Sequence, residues 1–247
     1  MPRIWAAVLP ALAYIMIVAV GMVWAYRPDD GTSAIAAMLL RLLAVQLCLI
    51  GLCLLTVRRA VQWRDIGFGA LRAKEILWLA PSYLTLTIML ADLWPALWAA
   101  GADDAMPTVL LILALTTLCI GFSEEVMFRG IVLRGALHAI SPVQAMLLST
   151  VLFALMHAAS GIAGQSATNT LQQMAFTFLA GFFLAPIALR IGTLWPLILW
   201  HSLWNLAVYG GQIWDVTHGI AVTGVLIQAV LALWLWVDIW RRGLPAT

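Results

Sequence analysis

Eight apolar runs, at residues 4–26, 35–57, 76–99, 107–122, 143–159, 171–189, 193–209 and 220–240, occupy nearly the whole chain and leave only short polar segments between them. A helix needs about 20 apolar residues to cross roughly 30 Å of hydrocarbon, so each run is read as one span. The fold class expected is all-α: a polytopic membrane helix bundle of about eight transmembrane helices, one membrane domain over residues 1–247 with no separate soluble unit. Composition agrees, since 64% of the residues are hydrophobic and 10% charged, against about 45–50% and about 25% in an ordinary soluble domain. The first run is too long for the apolar region of a signal peptide, and no small-residue cleavage site follows it before Arg27, so it is read as a retained span.

Charge sets the expected orientation, because cytoplasmic loops are rich in Lys and Arg. If every run crosses, Arg3, then Arg58, Arg59, Arg64, Arg72 and Lys74, then Arg134, Arg190, Arg241 and Arg242 all fall on one side. The opposite loops carry Asp29, Asp30, Asp103, Asp104 and Asp215, with Arg27 the one basic exception. Both termini are therefore expected in the cytoplasm. The net charge of +2 is spread over several loops rather than gathered in a stripe, which argues against a nucleic-acid partner and for the lipid bilayer. Cys48, Cys53 and Cys119 lie inside apolar runs, without the paired spacing of a zinc site or a disulfide framework. Trp5, Trp24, Trp63, Trp78, Trp98, Trp214 and Trp240 stand near run ends, where an amphipathic ring anchors at the interface. The polar stretch 58–75 reads as a short amphipathic piece along the cytoplasmic interface.

Ionisable groups inside spans are costly, so each one is a functional hypothesis. Arg41 and Asp92 lie at matching depths, roughly 10 Å below the outer ends of the second and third runs at about 1.5 Å per residue, and are expected to form a structural ion pair. A second group is richer: Phe122-Ser-Glu-Glu-Val-Met-Phe-Arg129, then Phe153-Ala-Leu-Met-His157, then His201-Ser-Leu-Trp-Asn205. Glu125 and Arg129 are four apart and share a helix face, so they can pair, while Glu124 points about 100° away and stays free. Phe153 with His157, and His201 with Asn205, are likewise pairs on single faces. A turn near 139–141 makes the fourth and fifth helices a hairpin, and counting back from it sets Glu124 level with Met156 and His157. Singly these residues have plain readings: a histidine bonding between helices, an asparagine as helix glue, a buried Glu125–Arg129 pair. Together, two imidazoles, two carboxylates and a carboxamide converging in lipid suit the activation of water.

At these residues the chain resembles the CPBP family of intramembrane glutamic endopeptidases, which includes CAAX prenyl proteases and many bacterial relatives linked to bacteriocin processing or self-immunity. The family pattern Glu-Glu-x-x-x-Arg, Phe-x-x-x-His and His-x-x-x-Asn or Asp is matched in order by Glu124, Glu125 and Arg129, by Phe153 and His157, and by His201 and Asn205. The resemblance covers roughly residues 107–209, which it marks as the catalytic core. It implies that Glu124 with His157 activates a water for attack on a peptide carbonyl. His201 and Asn205 then stabilise the oxyanion, with Glu125, Arg129 and Phe153 in support. A carboxylate in a water-poor cavity is the stronger base near neutral pH, and oxyanion donors gain strength there. No cofactor is implied, the partner is a peptide or membrane-protein substrate, and the location is an integral membrane, expected to be a bacterial inner membrane.

Two other readings use the same residues. Glu124, His157 and His201 could be zinc ligands, three protein ligands plus water being the usual catalytic arrangement, although no His-Glu-x-x-His helix is present. A non-catalytic scaffold or immunity protein could hold a peptide in the same cavity. A transporter should show repeated broken helices, and the chain has none of that pattern. The orientation is tested with reporters: one fused after Arg242 is expected in the cytoplasm and one inserted at Asp103 outside. Finding both on one side refutes the span count.

Overall fold

In the computed structural model the apolar runs are helices; it describes residues 3–27, 34–60, 63, 65–100 and 106–244. In chain order these are α1 (Arg3–Ala25), α2 (Ala34–Ala60), a 3-10 segment (Ala73–Leu79) leading into α3 (Ala80–Ala100), and α4 (Met106–Glu125), which continues as a π-helical segment (Val126–Arg134). There follow α5 (Pro142–Met156), the short α6 (Ala159–Ile162), α7 (Ala167–Ile191), α8 (Trp195–Ile213) and α9 (Ile220–Arg242). Apolar side chains such as Met16, Val20, Leu84 and Val230 are exposed on the outer faces, as a lipid-facing surface requires.

Seven of these helical stretches are long and apolar enough to cross a membrane. The eighth long helix, α8, has 19 residues but a less apolar composition, because it carries His201, Asn205 and Gln212. It compensates by packing inside the bundle, against α4 on one side and α3 on another. The polar residues of α8 therefore face protein and cavity. The hairpin expected between the fourth and fifth spans is present: Ser141 caps α5 by accepting from the Gln144 backbone, the Gln144 side chain reciprocates, and Pro142 opens the helix.

Two expectations change. Arg41 and Asp92 do not meet each other: Arg41 Nε donates to the Ala25 carbonyl at 3.1 Å, and Asp92 faces His218 Nδ1 at 3.8 Å. Equal depth was a poor guide because α2 packs on α1 and α4, whereas α3 packs on α8 and α9. The stretch expected as a short amphipathic piece, 58–75, is helical only at its ends, where α2 reaches Ala60 and the 3-10 segment begins at Ala73. Ile66 is buried and packs with α1, α2 and the π segment. The chain beyond it pairs with the α7–α8 turn, Leu194 N–H donating to the Gly67 carbonyl at 2.8 Å and Arg72 N–H to the Ile191 carbonyl at 2.9 Å. Gly192 makes this possible, since its φ is 81° and a Cβ there would collide with the Ala70 carbonyl. Asp29, Asp30, Arg64, Asp103 and Asp104, and the side chains of Arg3 and Arg59, lie outside the described residues.

The same end of the bundle holds an ion cluster. Arg190 contacts Asp238 through Nη2 and lies 3.8 Å from Glu75, and Asp238 also accepts Arg242 Nε at 3.1 Å. This ties α7 to α9 and to the 3-10 segment. Arg190→Met and Asp238→Leu are each expected to destabilise the protein in detergent, by up to about 3 kcal/mol, because one charge loses its nearest buried partner. The double substitution should cost less than the two losses added together; strict additivity would show that the pair is not coupled.

Candidate active site

Glycine at position 121 sets the distance between the two helices that carry most of the site. A Cβ on Gly121 would run into Ser202 Oγ, and would lie 2.8 Å from the Ile198 carbonyl and 2.9 Å from Ser202 N. Two of those three atoms are backbone and cannot swing away. Only glycine lets α8 come this close, and the approach brings His201 level with the glutamates one turn below.

Glu125 is the centre of that contact. Its Oε1 accepts from His201 Nδ1 at 2.8 Å and lies 3.1 Å from Arg129 Nη1 on its own helix. Both Glu125 and Arg129 are fully buried. The guanidinium also stands over the face of Phe153, 4.0 Å from the ring centroid, where the ring quadrupole offers further attraction. The pair expected from the four-residue spacing is thus formed, and it has a third member in His201 that spacing within one helix could not show. Around Phe153 the rings of His157 and His201 pack edge-on, with centroids at 5.2 and 5.9 Å. Phe153 is the wall against which the cation and both imidazoles are set.

Glu124 is differently placed. It points into a cavity of about 470 Å³ that His157, His201 and Asn205 also line. Its Oε2 is buried, has no hydrogen-bond partner, and is 3.6 Å from His201 Nε2. His157 has one nitrogen committed: Nδ1 lies 2.9 Å from the Phe153 carbonyl. A carbonyl can only accept, so Nδ1 carries the proton and Nε2 of the neutral ring is an acceptor. The cavity thus offers a free carboxylate oxygen and a free imidazole lone pair.

Helix α4 is pinned at this level from the other side. Tyr14 on α1 and Gln46 on α2 both meet Ser123 Oγ, at 2.8 and 2.9 Å. Directly after Glu125 the backbone widens into the π segment, and Ser149 on α5 donates to the Phe128 carbonyl within it at 2.7 Å. A π turn shifts the residues after it relative to those before it, and such turns are frequent at functional sites. Here it lies between the glutamates and the hairpin that returns His157.

Sequence reasoning missed Tyr14, Gln46, Trp200 and Gln228. Trp200, Gln173 and Gln228 line the cavity, and Gln228 sits in the middle of α9. The rule that flagged Arg41, a polar group deep within an apolar run, applies equally to Gln46 and Gln228 and could have found both. Trp200 carried no such signal among the many tryptophans. The zinc alternative fares poorly on donor geometry, since among the described residues no group of three His, Cys, Asp or Glu side chains is arranged to hold a metal ion.

Residues 106–207 match the family model for Rce1-like proteins, described as type II CAAX prenyl endopeptidase Rce1-like. The search against curated proteins finds no match. The matched segment runs from the start of α4 into α8 and contains Glu124, Glu125, Arg129, Phe153, His157, His201 and Asn205. Residues 106–207 thus resemble an Rce1-like CAAX endopeptidase domain, set in a chain with seven helical stretches long and apolar enough to cross a membrane.

Proposed function

We propose that the chain is an intramembrane endopeptidase in which Glu124 and His157 activate a water for attack on a peptide bond. The observation that carries this reading is the division of labour between the two adjacent glutamates. Glu125 is engaged through Oε1 by Arg129 and His201 and does not line the cavity, whereas Glu124 lines it with an oxygen that has no hydrogen-bond partner. A water held there gives one hydrogen to Glu124 and the other to His157 Nε2, which turns its lone pair toward a carbonyl carbon in the cavity. Attack forms the new C–O bond and moves the water proton to Glu124. Collapse breaks the C–N bond as that proton passes to the leaving amine, and Glu124 is restored. Asn205 and His201 line the same cavity and supply the donors to the oxyanion.

The catalytic core of this reading is residues 107–209 within a single membrane domain over residues 1–247. Its substrate is a peptide or a segment of a membrane protein, and the setting is a bacterial inner membrane with both termini in the cytoplasm.

The test is cleavage of a quenched-fluorescence peptide library by protein purified in detergent. Glu124→Gln keeps size and hydrogen bonding, so cleavage should vanish while the thermal midpoint is kept. Glu125→Gln should lose activity and stability together, because Arg129 and His201 lose their shared anion. Asn205→Ala should slow turnover on the order of a hundredfold if it supplies an oxyanion donor. Gly121→Ala, which touches no reacting group, should also lose on the order of a hundredfold through a displaced His201. Chelators should leave the rate unchanged. Wild-type activity in Glu124→Gln would sink the mechanism, and peptide capture without any cleavage by the wild type would favour the scaffold reading.

A further inference from the structure

The cavity does not stop at the reacting groups. It continues from Glu124 between α7, α8 and α9, and this arm is lined by side-chain amides: Asn169, Gln172 and Gln173 on α7, Gln212 on α8 and Gln228 on α9. The three on α7 follow a three- and four-residue spacing and so share one face of that helix. Amides within spans turn toward a polar interior rather than toward lipid, and these turn toward the cavity.

Three buried polar atoms along the arm are uncommitted, Gln173 Oε1, Gln228 Oε1 and Trp200 Nε1, and the last two are the most deeply buried. Gln228 is 1% exposed; its Nε2 donates to Ser82 Oγ at 2.8 Å, and Oε1 has no partner. Trp200 is 2% exposed, and its indole N–H has no acceptor. Leaving such groups unmet in a low-dielectric interior is costly, and a ligand with complementary groups removes that cost. Gln228 offers an acceptor and Trp200 a donor. A peptide unit offers their complements, an N–H and a C=O, and an extended strand presents them alternately on both edges. Glu124 is the only Asp, Glu, Lys or Arg among the described residues lining the cavity, so what the arm presents to a ligand is neutral hydrogen-bonding capacity.

We propose that this amide-lined arm holds the substrate as an extended, uncharged peptide segment and reads its main chain, Gln228 Oε1 accepting from a substrate N–H and Trp200 Nε1 donating to a substrate carbonyl. The proposal names the substrate class of the peptidase site and rests on that reading for its purpose. Specificity then follows from the ability of a segment to lie extended without charge, and less from any one side chain.

The test reads binding, so that it stands apart from cleavage. Fluorescent uncharged peptides are selected by anisotropy against the Glu124→Gln protein in detergent, and the best binder is remade as a series of depsipeptides, each with one amide N–H replaced by an ester oxygen. The result expected is a loss of about tenfold at one position, absent when Gln228→Leu is added to Glu124→Gln. Trp200→Phe, which removes a donor without stranding a new polar atom, should weaken the parent peptide by a similar factor while the thermal midpoint is kept. Failure to bind any uncharged peptide overturns the proposal, as does an ester series that is flat or that is indifferent to Gln228. A Gln228-dependent ester penalty in a protein whose wild type cleaves nothing upholds it and removes the peptidase reading instead.

Discussion

One carboxylate, Glu125, holds three helical elements in register. It takes Arg129 from the π segment and His201 from α8 while being fully buried itself. An unpaired charge at this depth would be prohibitive, so the arrangement stands only when α4, the π segment and α8 are all in place. Gly121 is the steric counterpart, because it allows α8 to come near enough for the Glu125–His201 bond to close. Phe153 extends the same constraint to α5 by lying under the guanidinium and against both imidazoles.

With Glu125 committed to structure, its neighbour is released for something else. Adjacent residues on a helix point about 100° apart, and that angle separates a carboxylate held by Arg129 and His201 from one that opens on a cavity. The first two spans carry none of the family's motifs but are not bystanders. Tyr14 and Gln46 converge on Ser123, the residue before the glutamates, so α1 and α2 fix the rotation of α4 about its own axis. At the far end of the bundle, the ion cluster of Glu75, Arg190, Asp238 and Arg242 and the backbone pairing of residues 67–72 with 191–194 tie the connecting segments to the helices that wall the cavity.

The family match covers the segment that holds the site and leaves α1 to α3 and α9 outside it. Those outer helices nonetheless supply the Tyr14 and Gln46 buttress and the Gln228 face of the cavity.

What the sequence determined by itself was everything carried along one helix. Run length and hydropathy dictate spans, since the thickness of the bilayer fixes how many apolar residues a crossing takes. Four-residue spacing dictates that Glu125 and Arg129 meet and that Glu124 does not join them. The short hairpin between the fourth and fifth spans was also legible, and Glu124 and His157 line one cavity across it. Tertiary structure alone decided which helices are neighbours and how each is rotated. That is why Arg41 and Asp92, matched in depth, have different partners, and why His201 reaches Glu125 as well as Glu124. It is also why Gln228 and Trp200, on separate helices, line one cavity. The physical reason is that periodicity within a helix is set by backbone geometry, whereas the choice of neighbour in lipid rests on close packing and on satisfying buried polar groups, and both depend on every helix at once.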